Sequence, residues 1–171
     1  MLQSLYNFIF ILEYLTQLQN LKELDIVCSL DTFEAKSLSN MKNVETLKLS
    51  AKDFSNTNLF TLFNKPKSNL IDLSISGWMD GYADGVDENV LKAIAKNCPN
   101  LKNLSVTVTG LTGTLEFHNL KTLKLFQGSK DFIAIFENEN LKELLKLEIE
   151  KIPQINDVDL ETIGNFASFK V

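Results

Sequence analysis

Residue types that commonly carry catalysis are scarce in this chain. His118 is the single histidine among the 171 residues, so a two-histidine metal site or proton relay cannot form. A nucleophilic triad would need His118 close to Cys28, Cys98 or a serine, with an acid to orient the imidazole. The spacing of these residues gives no sign of such a cluster, and Gly-rich phosphate-binding motifs are absent. We therefore predict that the chain is not an enzyme; a deep pocket or a bound metal around His118 would indicate the opposite.

One loop comes close to a calcium-binding pattern and then departs from it. Asp80, Asp84 and Gly85 match the first, fifth and sixth places of an EF-hand loop. Tyr82 occupies the third place and Leu91 the twelfth, where the motif needs a bidentate acid. We therefore predict no metal site and no cofactor.

The same loop, residues 77–87, is a candidate for partner recognition. It contains Trp78, which is the single tryptophan of the chain, together with Tyr82. Tryptophan and tyrosine are favoured anchors in protein interfaces. The alternative is that Trp78 packs on the edge of the domain and covers its core. The sequence leaves both interpretations open.

The charge balance argues against nucleic acid as a partner. The chain has 17 basic and 22 acidic residues, which gives a net charge of −5. Binding to a phosphate backbone requires clustered lysine and arginine. The lysines here alternate with acidic residues, which is typical of an ordinary solvated surface.

Neither a disulfide framework nor a membrane segment is predicted. The two cysteines are too few for a disulfide framework, which favours a reducing compartment, cytoplasmic or nuclear. The longest apolar run among the first twenty residues, at 8–12, is far too short to span a membrane. No lysine or arginine precedes Lys22, so a secretory signal is not predicted either. Residues 1–20 are predicted to form an amphipathic helix or a degenerate repeat.

The main organising feature is a six-residue pattern, here called the hexad, with aliphatic residues at places 1, 4 and 6. It occurs at residues 21–26, 44–49, 70–75, 101–106, 120–125 and 144–149, and an asparagine directly precedes each of the first five copies. Places 4 and 6 alternate as in a strand with one buried face, so each hexad predicts a short strand. Helical patterns lie between them, at residues 33–41, 59–63, 87–97, 132–136 and 157–166, whereas residues 107–119 are predicted to be extended or turn-like.

Strand and helix recur at intervals of about 25 residues, which is typical of a solenoid with parallel strands on one side and helices on the other. The strand residues that alternate with the buried aliphatics should line the exposed, concave side. They are Glu23, Asp25, Val27, Thr46, Lys48, Ser50, Asp72, Ser74, Ser76, Asn103, Ser105, Thr107, Thr122, Lys124, Phe126, Lys146, Glu148 and Glu150. The centre of this face is small and polar, and charge increases toward both ends.

These features resemble a leucine-rich repeat protein. Residues 91–106, where Cys98-Pro99 precedes the hexad that begins at Leu101, resemble the cysteine-containing repeats of F-box proteins. The resemblance implies an α/β fold: a fragment of a right-handed horseshoe, with parallel strands on the concave side and irregular helices on the convex side. It implies about six repeats over residues 21–152, then a C-terminal helix or truncated repeat over 153–171. The asparagine that commonly follows the repeat strand is replaced in every copy, so a regular asparagine ladder is not expected.

Proteins of that F-box family recognise substrates for cullin-type ubiquitin ligases. The resemblance therefore implies contact with ubiquitin-ligase components, through an F-box that a parent protein would supply. No F-box is recognisable in residues 1–171.

The favoured function is a non-catalytic scaffold that binds a protein or peptide, with no role for nucleic acid or membrane. The predicted partner-binding residues are Trp78 and Tyr82 of the loop, together with Asp72, Ser74, Asn103, Ser105, Lys124, Phe126 and Lys146 of the concave face. The alternative from a different class is a purely structural segment of a longer solenoid, whose ligand binds elsewhere.

Overall fold

A computed structural model describes residues 17–77, 85–109, 115–126, 141, 143–150, 157 and 161. Its six strands form one open, all-parallel sheet in chain order. They are β1 (Glu23–Leu30), β2 (Thr46–Phe54), β3 (Asp72–Gly77), β4 (Asn103–Thr107), β5 (Thr122–Phe126) and β6 (Lys146–Glu150). Three helices follow the first three strands, α1 (Thr32–Ser39), α2 (Asn56–Phe63) and α3 (Glu88–Asn97). The predicted α/β class and parallel sheet are confirmed. The longest helix that the structure describes has ten residues, and none of the described helices could cross a membrane.

Each strand begins at place 3 of its hexad, and the hexads pair place by place across the sheet. Leu24 lies beside Leu47, which lies beside Leu73, and the same register continues to Leu147. At every junction the carbonyl at place 2 accepts the backbone N–H groups of places 2 and 3 of the next hexad. The repeat in sequence is therefore also a repeat in hydrogen bonding.

Places 4 and 6 point toward one core, which they share with the helices. In the first five hexads these side chains are all at most 8 % exposed, whereas Leu147 and Ile149 of the last hexad are only partly buried. The same apolar cluster contains Leu38 of α1, Leu59 of α2 and Leu91 of α3. The helices therefore cover the face of the sheet toward which places 4 and 6 point, while places 3 and 5 point away from it.

The three helices begin at polar caps that are readable in the sequence. Asp31, Ser55 and Asp87 each accept a hydrogen bond from a backbone N–H three residues later, which satisfies a donor that the helix itself cannot use. The helix predicted at residues 87–97 is confirmed, and Asp87 is its N-cap. The predicted helix at residues 59–63 is longer than expected because it begins at Asn56.

Some predicted elements differ from the structure or lie beyond it. Strand alternation places Thr107 on the exposed face, but the structure has it only 4 % exposed. Its carbonyl accepts the N–H of Val86, which brings the segment before α3 alongside the end of β4. The predicted helix at 132–136 lies outside the described residues, and of the predicted helix at 157–166 only Asp157 and Glu161, both helical, are described.

A regular ladder of asparagines occurs at the start of the strands, a different place from the position after the strand where no ladder is expected. The side-chain Nδ2 groups of Asn43, Asn69, Asn100 and Asn119 donate to the carbonyls of residues 19, 42, 68 and 99, at 2.7–3.1 Å. Each accepting carbonyl belongs to the residue just before the corresponding asparagine of the preceding repeat. The asparagine before each hexad thus ties one repeat to the next.

Replacing one of these asparagines should weaken the link between two repeats. We expect Asn100→Ala to lower the free energy of unfolding by about 1 kcal/mol, because the carbonyl of Ser68 loses its amide donor. Urea unfolding measures the change. Lys102→Ala, an exposed position two residues later, is the matched control. Equal stability of Asn100→Ala and the control would show that the ladder contributes nothing.

Side chains of the following repeat also donate hydrogen bonds to the carbonyls at the C-terminal ends of α1 and α2. The buried Lys67 ammonium donates to the carbonyls of Leu38, Ser39 and Met41 at 3.0–3.4 Å, at the end of α1. Asn97 does the same for α2 through the carbonyl of Phe63, at 2.8 Å. Because helix ends leave carbonyls without partners, these side chains satisfy groups that would otherwise be buried unpaired.

Candidate functional site

The candidate site is the outer face of the sheet, defined as the side formed by hexad places 3 and 5 together with the strand residues directly after the hexads that are not buried. These following residues are Val27, Ser50, Ser76, Phe126 and Glu150. No described helix covers this face, because the helices pack on the other side. Strand register arranges its residues in rows that run across the sheet. The row from place 3 consists of Glu23, Thr46, Asp72, Asn103, Thr122 and Lys146.

The row from place 5, here called the middle row, has a nearly symmetric order of charge. Along it lie Asp25, Lys48, Ser74, Ser105, Lys124 and Glu148. Two serines occupy the centre, a lysine stands on each side of them, and an acid stands beyond each lysine. Neighbouring strands are about 4.8 Å apart, so the two lysines flank a strip of small hydroxyl side chains roughly 14 Å wide.

A cleft lies over the centre of this face, where the side chains are short. Its volume is about 180 Å³, and it is lined from β2 to β6 by residues that include Lys48, Ser74, Ser105 and Lys124. Drug-sized ligands usually occupy pockets of about 300–1,000 Å³. The cleft is therefore of a size to take one side chain.

Asp72 supplies the acidic group closest to the centre of the face, and its oxygens are engaged by neighbours. Its Oδ1 accepts a hydrogen bond from the Asn103 amide, and the Thr46 hydroxyl lies 3.4 Å from its Oδ2. These contacts join β2, β3 and β4 across the row from place 3. They fix the orientation of the carboxylate.

Lys124 stands at the centre of a charged cluster on β5 and β6. Its Nζ lies 2.7 Å from Glu150 and 2.9 Å from Glu148, and 4.9 Å from the centre of the Phe126 ring. Hydrogen bonds to Glu150 and then Glu148 raise the pKa of Lys124 above its usual range. Lys146 also pairs with Glu148, and hydrogen bonds from Lys146 and Lys124 lower the pKa of that carboxyl. The cluster contains two lysines and two glutamates, so their formal charges cancel.

Seven of the nine predicted partner-binding residues lie together on the outer face, on β3 to β6. They are Asp72, Ser74, Asn103, Ser105, Lys124, Phe126 and Lys146. Trp78 and Tyr82 lie outside the described residues. Lys48 was not among the predicted partner-binding residues, although it lines the cleft. The hexad register would have identified it, because place 5 of the second hexad must lie beside Ser74.

A larger groove, of about 670 Å³, lies on the helix side between α2 and α3. Two of its four asparagines already hold the structure together. Asn56 bonds the backbone of Gly85 and Asp87, and Asn97 bonds the carbonyl of Phe63. Phe60, 45 % exposed, is its main apolar side chain. The groove is the space between two neighbouring helices. Asn56 and Asn97, which belong to its polar lining, form hydrogen bonds that stabilise the fold.

The thiols are not poised for nucleophilic chemistry. Burial raises the pKa of Cys98 to about 12, and burial together with Glu34 and Asp31 raises the pKa of Cys28 to about 11. Both thiols are therefore protonated at neutral pH, whereas a reactive cysteine requires a thiolate. Cys98 packs in the core, where it is 2 % exposed. His118 is an exposed residue of the loop before β5.

Comparison of the chain with protein-family models, with curated proteins and with solved structures finds no match. Function must therefore be inferred from the outer face itself.

Proposed function

We propose that this chain is a leucine-rich-repeat solenoid that binds a protein or peptide partner without catalysis. The outer face of the sheet is then its concave surface, and the loop at residues 77–87 is proposed to contribute Trp78 and Tyr82 to binding. The observation that carries the proposal is the outer face: six strands in matched register present polar and charged side chains that no described element covers. Exposed strand faces of repeat proteins are common binding surfaces because each repeat adds one strand and so extends the same face.

The dimensions of the face favour an extended segment of the partner. Six strands span about 24 Å, and an extended peptide advances about 3.3 Å per residue. A segment of about seven residues would therefore cross the whole sheet. The central cleft would take one of its side chains, and Phe126, half-buried beside Lys124, offers apolar area close by.

The resemblance of residues 91–106 to cysteine-containing repeats extends the proposal to a pathway. The chain would then be part of the substrate-recognition region of an F-box-type ubiquitin ligase subunit, in the cytoplasm or nucleus. The reading frame of the parent gene tests this extension. An F-box upstream of these repeats would support it, whereas a parent protein without one would remove the ligase role and leave the binding proposal.

Removing Phe126 should weaken partner binding. A displayed library of random peptides, each about nine residues long so that it can cross the sheet, provides the probe. We expect Phe126→Ala to reduce affinity for selected peptides about tenfold, because an aromatic contact beside a charged group is lost. Phe60→Ala removes an exposed phenylalanine from the helix side and is the matched control. A loss of binding in Phe60→Ala but not in Phe126→Ala would move the site to the groove between α2 and α3.

Replacement of Trp78 by alanine distinguishes a role of the loop in partner binding from a role in covering the core. Weaker peptide binding by a folded Trp78→Ala variant, checked by circular dichroism, would place the loop in the binding site. Unfolding of the variant would show instead that Trp78 has a packing role.

A further inference from the structure

The polar groups of the central cleft differ in how far their hydrogen-bonding capacity is already used. The two carboxylates that line the cleft are engaged: Asp72 by Asn103 and Thr46, and Glu148 by Lys124 and Lys146. Part of their acceptor capacity is thus satisfied inside the protein.

Donor groups of the same cleft are less engaged. Lys48 is exposed and forms no ion pair with any residue that the structure describes. An ammonium has three N–H donors, and Glu148 and Glu150 engage Lys124 from the β6 side. The hydroxyls of Ser74 and Ser105 lie between the two lysines and have no hydrogen-bond partner among the described residues. The cleft therefore offers donors to a ligand that accepts hydrogen bonds.

Register places these donors around one position. Lys48, Ser74, Ser105 and Lys124 are successive members of the middle row. Lysine has a long flexible stem, so the two ammonium groups can approach the serines from opposite sides. Charge-assisted hydrogen bonds from an ammonium to a carboxylate are stronger than those between neutral groups. A carboxylate between the serines could accept hydrogen bonds from the two hydroxyls and from the Lys48 ammonium, while the positive charge of Lys124 lies on the other side.

We propose that the cleft binds an acidic side chain, Asp or Glu, of an extended peptide partner, with Lys48 as its principal charged contact. The inference rests on the proposed function, since it names the partner chemistry of the same face. The volume of about 180 Å³ suits a single side chain, and Lys48 supplies an ammonium that forms no ion pair with any acid that the structure describes. Asp72 lies in the neighbouring row, where Thr46 and Asn103 hold its oxygens.

The test begins with the peptides selected from the random library. The proposal expects Asp or Glu at one fixed position of the enriched peptides. Enriched peptides without an acidic residue would overturn this inference and leave the proposed function intact. Enrichment of no peptide at all would contradict both.

A double-mutant cycle then locates the acidic residue. Lys48→Gln and replacement of the peptide acid by its amide should each weaken binding about tenfold, and the two changes together should cost little more than either alone. Lys48→Arg should retain most of the affinity because the charge remains. Lys102→Gln, an exposed lysine beside the face, is the control and should bind like the wild type. Independent, additive losses in the cycle would show that Lys48 does not contact the acid. Thermal melts of the variants confirm that each remains folded.

Discussion

Gly85→Ala is expected to lower the free energy of unfolding by about 2–3 kcal/mol, because the backbone comes too close at this position for any side chain. A Cβ added there would lie 2.6 Å from Thr109 Cγ2, 2.8 Å from the carbonyl carbon of Val108 and 2.9 Å from the backbone nitrogen of Thr109. Two of these three atoms belong to the backbone and cannot rotate away. The segment would have to separate from the end of β4.

Gly85 also joins three parts of the fold, which is why its displacement should be costly. Its carbonyl accepts hydrogen bonds from the Asn56 amide, at the start of α2, and from the Thr109 hydroxyl. Val86, the next residue, bridges to Val108 in parallel. Movement of Gly85 would strain these contacts together.

Urea unfolding of a small variant set measures the effect and its cause. Thr109→Ser removes the methyl group at 2.6 Å and keeps the hydroxyl that bonds Gly85. Because the backbone contacts remain, Thr109→Ser should rescue little of the stability lost in Gly85→Ala. Full rescue would show that the side chain, not the backbone, sets the requirement for glycine. Wild-type stability of Gly85→Ala would contradict the close approach itself.

The second large effect is a pH dependence that comes from Lys67. Its Nζ is buried against the three carbonyls at the end of α1, and burial lowers the pKa of Lys67 from 10.5 to about 8. Between these two pH values the unfolded chain binds more protons than the folded chain at this group, so stability rises with pH. Below pH 8 the buried charge of Lys67 lowers the free energy of unfolding by its full amount. This destabilisation disappears as the pH rises to 10.5.

Comparison of the wild type with Lys67→Met isolates this contribution. The free energy of unfolding of the wild type, minus that of Lys67→Met, should increase from pH 8 to 10.5 by at most about 3 kcal/mol. Lys65→Met, two residues away on the surface, controls for loss of a positive charge. A difference that stays constant, or falls, across this range would show that the ammonium is not penalised in the folded state.

Ionisation of the two thiols lowers the free energy of unfolding as the pH rises, which is opposite to the effect of Lys67. The pKa values of Cys28 and Cys98 are raised from 9.0 to about 11 and about 12, so their ionisation favours the unfolded chain as pH rises above 9. This effect is common to the wild type and Lys67→Met. Because Cys98 interacts electrostatically with Lys67, the comparison should be repeated in a Cys98→Ala background.

The strands and their register could be predicted from the sequence because both follow from one local rule. Alternation of places 4 and 6 determines which side chains are buried, and equal hexads can pair without a shift. The position of α3 could also be predicted from the sequence, since Asp87 precedes residues whose apolar side chains repeat with helical spacing. The start of α2 was not, because Asn56, Thr57 and Asn58 show no apolar periodicity.

The links between repeats could not be predicted because they depend on contacts between distant residues. Lys67 follows a proline in a polar segment, and nothing nearby indicates that its ammonium is buried against carbonyls 26–29 residues earlier. The asparagines before the hexads were visible as a pattern. Their role required knowing which carbonyl of the preceding repeat lies within reach.

For the candidate site, alternation predicted which residues share the outer face but not how they interact. The pairing of Lys124 with Glu148 and Glu150, and its approach to Phe126, depend on rotamers that the sequence does not specify. The cleft likewise results from the short side chains of Ser74 and Ser105 between two long lysines. Only the strand register shows that these four residues are neighbours across the sheet.

Binding of an extended peptide to the outer face of the sheet can be observed residue by residue. The most direct test is nuclear magnetic resonance of the isotope-labelled chain during titration with a selected peptide. We expect the largest amide shifts on β2 to β5, at Lys48, Ser74, Ser105 and Lys124, which line the cleft. Shifts confined to α2 and α3, around the groove that Phe60 and Lys96 line, would contradict this expectation.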